Sequence, residues 1–314
     1  MQILHLDSNH PYLQKGLEKL GYINHFDFKS SKKEIENEIS NYVGVILRSR
    51  FEIDKSFIDK GTNLKFIARV GSGLENIDIE YAKKRNIKVF SSPKGNSGAV
   101  AEHAIGMLLS LINNMHYSQN EISSGIWSRE SNRGFELKNK IVGIIGYGNT
   151  GKSFAKKLSG FGVKIFFYDL IRDKGDKYAT ETSLKKIQQN CDIISIHTSL
   201  TKTSVGLINK SFISCCKKSF WLINTSRGQC VVTKDIINAI EQGKILGAAL
   251  DVIDLEKKSF NELTHKLESE PKLLDYINSK KIILTPHVAG WTHESKINLS
   301  KIILKKIKNL KLLK

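Results

Sequence analysis

At 314 residues the chain is longer than a single hydrophobic core comfortably supports, so two domains are expected. Its 40% hydrophobic and 25% charged residues are those of a soluble globular protein, and no apolar run approaches the roughly 20 residues of a membrane-spanning helix. The net charge of +18 comes from 41 lysines and 8 arginines spread along the chain without interleaved aromatics. That pattern argues against a specific nucleic-acid interface, and for a surface that attracts small anionic substrates.

The first residues, Met-Gln-Ile-Leu-His-Leu-Asp, carry no basic stretch and read as a strand rather than a leader, so a cytoplasmic protein is expected. Four strand candidates follow one another at residues 2–6, 42–47, 66–70 and 88–90, with a helix over 12–20. This rhythm predicts an α/β unit with a parallel sheet and helices on both faces. Residues 100–115 are apolar nearly all round and predict a buried helix, followed by a polar arm over 117–139 that holds Trp127, Arg129 and Arg133. A second βα series runs from Ile141 to about His287, and a last helix from 293 to 313, whose Lys301-to-Lys314 part alternates lysine with Ile and Leu. The expected domains are therefore 1–95 plus 288–314, and an inserted unit of 96–287. Cys191, Cys215, Cys216 and Cys230 lack Cys-x-x-Cys spacing, so reduced thiols and no metal site are expected.

The inserted series opens on the apolar strand Ile141-Val-Gly-Ile-Ile145, followed at once by Gly146-Tyr-Gly-Asn-Thr-Gly151 and a helical 152–158. Gly146 permits a tight turn, Gly148 lets the backbone approach a pyrophosphate, and Gly151 lets the helix pack on the strand. The helix N-terminus offers N–H groups and partial positive charge to a diphosphate. Asp169 ends the next strand, 23 residues after Gly146, where a carboxylate accepts hydrogen bonds from the adenosine ribose and disfavours a 2′-phosphate. The expected cofactor is NAD.

Three further residues follow short apolar runs: Arg227 after 221–223, Glu256 after 248–250 and His287 after 282–284. In a parallel sheet, side chains just past the carboxyl ends of strands converge on one crevice. A cation, a carboxylate and an imidazole beside a dinucleotide suit hydride and proton transfer. Histidine is the side chain best suited to take a hydroxyl proton near neutral pH, a nearby carboxylate orients the ring, and arginine binds a carboxylate and polarises its carbonyl neighbour. His197 and His103 are competing histidines, the first near the cofactor strand and the second in the buried helix.

The chain resembles the D-isomer-specific 2-hydroxyacid dehydrogenases, most closely their phosphoglycerate dehydrogenases. The motifs that carry this are Gly71-Ser-Gly-Leu-Glu-Asn-Ile-Asp78, Gly95-Asn-Ser97 with Val100-Ala-Glu-His103, the glycine turn, His197-Thr-Ser-Leu-Thr201, Ile223-Asn-Thr-Ser-Arg-Gly228, Gly247-Ala-Ala-Leu-Asp-Val252 and Thr285-Pro-His287. The resemblance implies two doubly wound parallel-sheet domains, a flavodoxin-like substrate domain and an inserted Rossmann NAD-binding domain. It implies Arg227, Glu256 and His287 as the catalytic set. Asn149 and Thr150 would touch the pyrophosphate, Thr198, Thr225 and Ser226 would line the cofactor cleft, Asp251 would face the nicotinamide amide, and Ala289 and Gly290 would pass close to its ring.

For the substrate, the resemblance implies Arg48 and Arg50 of an Arg-Ser-Arg motif at its anionic end, the backbone of Ser72 and Gly73 with Asn96 at its carboxylate, and Arg129 or Arg133 reaching from a second subunit. A homodimer built through 100–139, or a tetramer, is expected, with no regulatory domain after the last helix. Lys257 and Ser199 replace prolines usual in the family, and 257–281 is long, with 261–267 and 273–277 able to form extra helical turns. The implied reaction is the first step of serine biosynthesis. The alternatives are a glyoxylate/hydroxypyruvate reductase, a D-lactate-type enzyme, or a non-catalytic NAD-sensing protein.

Overall fold

A computed structural model describes residues 1–256, 263, 268 and 270–313. They form two compact units, one of Met1–Asn96 with the C-terminal segment from Trp291, the other of the remaining described residues between Ser97 and Gly290.

The first unit is a five-stranded sheet. Its elements are β1 (Gln2–His5), α1 (Pro11–Lys19), β2 (Ile23–Phe26), α2 (Lys32–Glu38), β3 (Gly44–Leu47), α3 (Lys55–Lys60), β4 (Phe66–Arg69), α4 (Ile79–Lys84) and β5 (Lys88–Phe90). All pairings are parallel and the order is β2-β1-β3-β4-β5, the flavodoxin-like arrangement. Strands β3 and β4 are buried at every position, which is why they read as apolar runs, broken in β4 only by the buried Arg69 at its end. The sequence reading missed β2: Ile-Asn-His-Phe has no apolar run, and as an edge strand it leaves Ile23 and Phe26 exposed.

The second unit begins with α5 (Ser97–Ile112), whose Ala101, Ala104, Leu108 and Leu111 sit in an apolar cluster with Val142, Phe154 and Ala249. The chain turns at Asn114, which takes a left-handed φ of 54°, into α6 (Met115–Ser123). The helix expected through 115 therefore ends earlier, and the polar arm expected from 117 starts as a helix of its own. Then follow β6 (Ile141–Ile145), α7 (Asn149–Leu158), β7 (Lys164–Tyr168), β8 (Thr180–Glu181), α8 (Leu184–Asn190), β9 (Ile193–Ile196), α9 (Lys210–Ser214), β10 (Phe220–Asn224), α10 (Thr233–Glu241), β11 (Ile245–Leu250), α11 (Pro271–Ile277) and β12 (Ile282–Leu284).

The seven strands are parallel in the order β12-β11-β10-β9-β6-β7-β8, the Rossmann arrangement with one strand added at an edge. The strand direction of build reverses between β6 and β9, so the glycine turn after β6 lies at the switch point. Of the expected extra turns, 273–277 lie in α11, whereas 261–267 fall outside the described residues except Leu263.

The chain returns to the first unit through α12 (His293–Lys308), which opens on a capping box of Thr292 and Ser295 and packs Leu299, Ile303 and Ile307 beside Leu13 and Leu17 of α1. It stops at Lys308, short of the expected 313; Leu310, Leu312 and Leu313 fold against the same cluster. No described helix is long and apolar enough to cross a membrane.

Candidate active site

The turn after β6 is built as its glycines require. Gly146 has φ of 94°, and a Cβ on it would lie 2.7 Å from the His197 carbonyl carbon; one on Gly151 would lie 2.2 Å from the Gly146 oxygen. Backbone, not a movable side chain, fills both positions, so only glycine fits. Beside Gly148 the space is open. Helix α7 starts at Asn149 with Thr150 and Gly151 in its first turn, and no side chain caps it, leaving its N-terminus for an anion.

Asp169 follows β7 as expected, but its carboxylate is already engaged. One oxygen accepts the Tyr147 N–H at 2.7 Å, the other the Ile171 N–H at 2.9 Å and the Lys174 ammonium at 3.0 Å. Burial alone would raise its pKa, but these donors outweigh burial and hold it below the usual carboxylate range. Lys174 had no signal in the sequence. Arg172 instead pairs with Glu181 at 3.4 Å.

Thr198 Oγ1 lies 3.5 Å from Cys230 Sγ, while the Thr225 hydroxyl is buried and has no hydrogen-bond partner. An orphaned buried hydroxyl, an uncapped helix N-terminus and the open space at Gly148 fit a bound dinucleotide.

Strands β10, β11 and β12 are neighbours in register, with Asn224 level with Leu250 and Leu250 level with Leu284. The three loops beyond them therefore leave the sheet side by side. After β10, Asn224 is fully buried and shapes the loop: its Oδ1 accepts the Ser226 hydroxyl at 2.7 Å and N–H at 3.1 Å, and its Nδ2 donates to the Arg227 carbonyl at 3.0 Å. Asn224 is a positioning residue that the sequence reading passed over. Gly228 then presses on the next loop, where a Cβ would fall 1.8 Å from the Ile253 oxygen.

That loop, after β11, is held by Asp254, which accepts the Thr233 N–H at 3.1 Å, and by Glu256 Oε1, which accepts the Ile253 N–H at 2.8 Å. The other Glu256 oxygen lies 2.7 Å from His287 Nδ1. Glu256 and His287 side chains are 9% and 24% exposed, so the pair is screened from solvent on the carboxylate side and open on the imidazole side. The expected pairing is thus present. Arg227 lies on the adjoining loop, its Nη1 donating to the Ser226 carbonyl at 2.7 Å.

His287 has φ of 54°, which a non-glycine residue adopts only when its surroundings hold it. Asp251 does so. It is 1% exposed, its backbone oxygen accepts the His287 N–H at 2.9 Å, and its carboxylate accepts the Val288 and Ala289 N–H groups at 2.9 Å each and the Thr285 hydroxyl at 2.6 Å. Beside the role toward the nicotinamide expected of it, the Asp251 carboxylate is a clamp for the histidine loop. Gly290 follows the clamped Ala289.

The competing histidines separate cleanly. His103 Nε2 approaches Thr285 Oγ1 at 3.1 Å and Asp251 Oδ1 at 3.7 Å, bracing the clamp from α5. His197 is enclosed, with Nε2 2.8 Å from Ser195 Oγ, and burial pushes its pKa down to about 3, so it stays an uncharged imidazole near neutral pH.

In the first unit, Arg48 follows β3. Its N–H donates to Asp7 Oδ2 at 2.5 Å and its carbonyl accepts Arg69 Nε at 2.7 Å, while its guanidinium lies over the Trp291 ring, 4.2 Å from the centroid. Ser72 donates its hydroxyl to Asn96 Oδ1 at 2.6 Å in the loops after β4 and β5, with Gly73 next in the chain. Arg50 does not suit the anion-binding role suggested for it. Its guanidinium donates to the carbonyls of Leu6, Asp27 and Ser30 and pairs with the Asp27 carboxylate at 3.6 Å, so it ties loops together. Arg133 is paired with Glu130 at 2.7 Å.

Comparison with known proteins agrees with this geometry. Residues 105–289 match the family model described as D-isomer specific 2-hydroxyacid dehydrogenase, NAD binding domain. The chain is 31% identical over 270 residues to D-3-phosphoglycerate dehydrogenase of Bacillus subtilis, covering 85% of this chain and 49% of that one, so it spans about half the length of such relatives. It is 32% identical over 276 residues to hydroxypyruvate reductase of Thermotoga maritima, covering 88% and 87%. Its structure superposes with a TM-score of 0.82, at 27% identity over 99% of this chain and 95% of the other, on Aquifex aeolicus D-lactate dehydrogenase complexed with NAD and lactic acid. The chain belongs to the D-isomer specific 2-hydroxyacid dehydrogenase family.

Proposed function

We propose that the protein interconverts a D-2-hydroxy acid and its 2-keto acid with NAD, the reacting pair being D-3-phosphoglycerate and 3-phosphohydroxypyruvate. The observation that carries the chemistry is the 2.7 Å contact between Glu256, on the loop adjoining that of Arg227, and His287 on the loop after β12. A nicotinamide cofactor held at the glycine turn, the N-terminus of α7 and Thr225 would supply the hydride for reduction and take it up in oxidation. In reduction, His287 donates its ring proton to the substrate oxygen as the carbonyl becomes an alcohol; in oxidation it takes the hydroxyl proton back. Glu256 holds the ring through Nδ1, which leaves Nε2 as the proton-carrying atom and offsets the charge of the imidazolium. Arg227 binds the substrate carboxylate and stabilises the charge that builds on the neighbouring oxygen.

The choice of a phosphorylated acid is supported by Arg48, whose guanidinium makes no hydrogen bond or ion pair among the described residues, and by the names of the phosphoglycerate dehydrogenase relatives. A reductase of hydroxypyruvate is the second reading, favoured by the match over 88% of this chain and 87% of the Thermotoga maritima protein and by the engagement of Arg50 elsewhere. Steady-state NADH oxidation with 3-phosphohydroxypyruvate, hydroxypyruvate, glyoxylate and pyruvate separates them. The expected kcat/KM is highest for 3-phosphohydroxypyruvate, by about tenfold or more, since a charged hydrogen-bonded contact is worth at least that factor. A preference for hydroxypyruvate selects the second reading, and no turnover of any of the four acids removes both.

A further inference from the structure

The first unit contains a contact that the reaction described above does not use. Trp291 is 65% exposed and belongs to none of the apolar clusters, yet its indole carries the Arg48 guanidinium 4.2 Å from the ring centroid. The Arg48 backbone is fixed on both sides, by Asp7 at its N–H and by buried Arg69 at its carbonyl. Only the side chain remains to be oriented, and among the described residues the Trp291 indole is what it lies against.

A guanidinium lying over an aromatic ring is attracted to it and loses little by being there, since its N–H groups point outward in its own plane. That arrangement keeps the donor fork available for a planar or tetrahedral anion while restricting the swings of a long side chain. Burial lowers the Arg48 pKa from its ordinary value, with Asp7 opposing that shift, as expected of a cation held partly out of water without a direct counter-ion.

We propose that Trp291 is a specificity-determining positioning residue, a platform that holds the Arg48 guanidinium ready for the anionic end of the substrate remote from the reacting carbon. This rests on the reading of Arg48 as a substrate-binding residue. The substrate class it selects is a 2-keto acid with a second anionic group, phosphate before carboxylate because the fork then faces more acceptor oxygens.

The test is steady-state kinetics with 3-phosphohydroxypyruvate and NADH on the full chain. Trp291→Ala is expected to raise KM about tenfold with kcat within about threefold, and Trp291→Phe, which keeps a ring face, to recover most of the loss. In an Arg48→Ala background, Trp291→Ala is expected to add no further rise, because the group it positions is gone. If Arg48→Ala raises KM and Trp291→Ala does not, the platform is wrong while the substrate reading stands. Additive effects, or kcat falling with Trp291→Phe as far as with Trp291→Ala, assign Trp291 a general structural role and overturn the proposal. If Arg48→Ala leaves KM unchanged, or the wild-type protein does not reduce the phosphorylated acid, the substrate reading fails and the platform fails with it.

Discussion

His287→Asn is expected to lower kcat by about 10²–10⁴-fold, the range that a positioned acid–base group contributes. Asparagine is the informative replacement because His287 sits at φ of 54°, a left-handed conformation that asparagine tolerates better than most residues. The backbone perch and its bonds to Asp251 and Thr285 can therefore persist, while the Nδ1 contact to Glu256 and the proton-carrying Nε2 are lost. NADH affinity, measured by fluorescence titration, is expected to stay within about threefold, since the glycine turn, α7 and Thr225 are untouched. A variant that keeps wild-type kcat would remove His287 from proton transfer.

Asp251→Ala is expected to destabilise the protein by about 2–4 kcal/mol and to cut kcat by at least about tenfold. The carboxylate it removes is buried and accepts two backbone N–H groups and one hydroxyl. Those donors would be left in a space too enclosed for full rehydration, and the cost of an unmade buried bond exceeds the worth of a made one. Activity suffers separately from stability, because the left-handed turn at His287 is held by this cluster. Thermal unfolding gives the first quantity, and kcat measured well below the variant's melting temperature gives the second. An Asp251→Ala protein with wild-type melting temperature and kcat would show that the clamp is dispensable.

Much of this arrangement is readable from the chain, because parallel strands buried on both faces must be written as apolar runs. That is why 141–145 and 282–284 coincide with β6 and β12. The site residues follow those runs directly, so placing Arg227, Glu256 and His287 past strand ends needs only a parallel sheet. What the sequence hides is how polar groups pair over long separations. Nothing in the chain around Asp251 announces that its carboxylate holds Val288 and Ala289, and Arg50 reads as the twin of Arg48 until its guanidinium is seen bonded to three carbonyls. The Lys174 contact to Asp169 and the Trp291 contact to Arg48 belong to the same class. Strand β2 was hidden for a different reason: an edge strand need not be apolar.

In the proposed oxidation, one hydrogen and its electron pair leave C2 of a D-2-hydroxy acid as His287 takes the hydroxyl proton. It is tested most directly by supplying NAD with each enantiomer of 3-phosphoglycerate and of glycerate in turn and following NADH formation. NADH is expected from the D enantiomer, with the L enantiomer slower by at least about 10²-fold, because only one hand presents C2 while its carboxylate stays on Arg227. Equal rates for the two hands, or a preference for the L enantiomer, would contradict it.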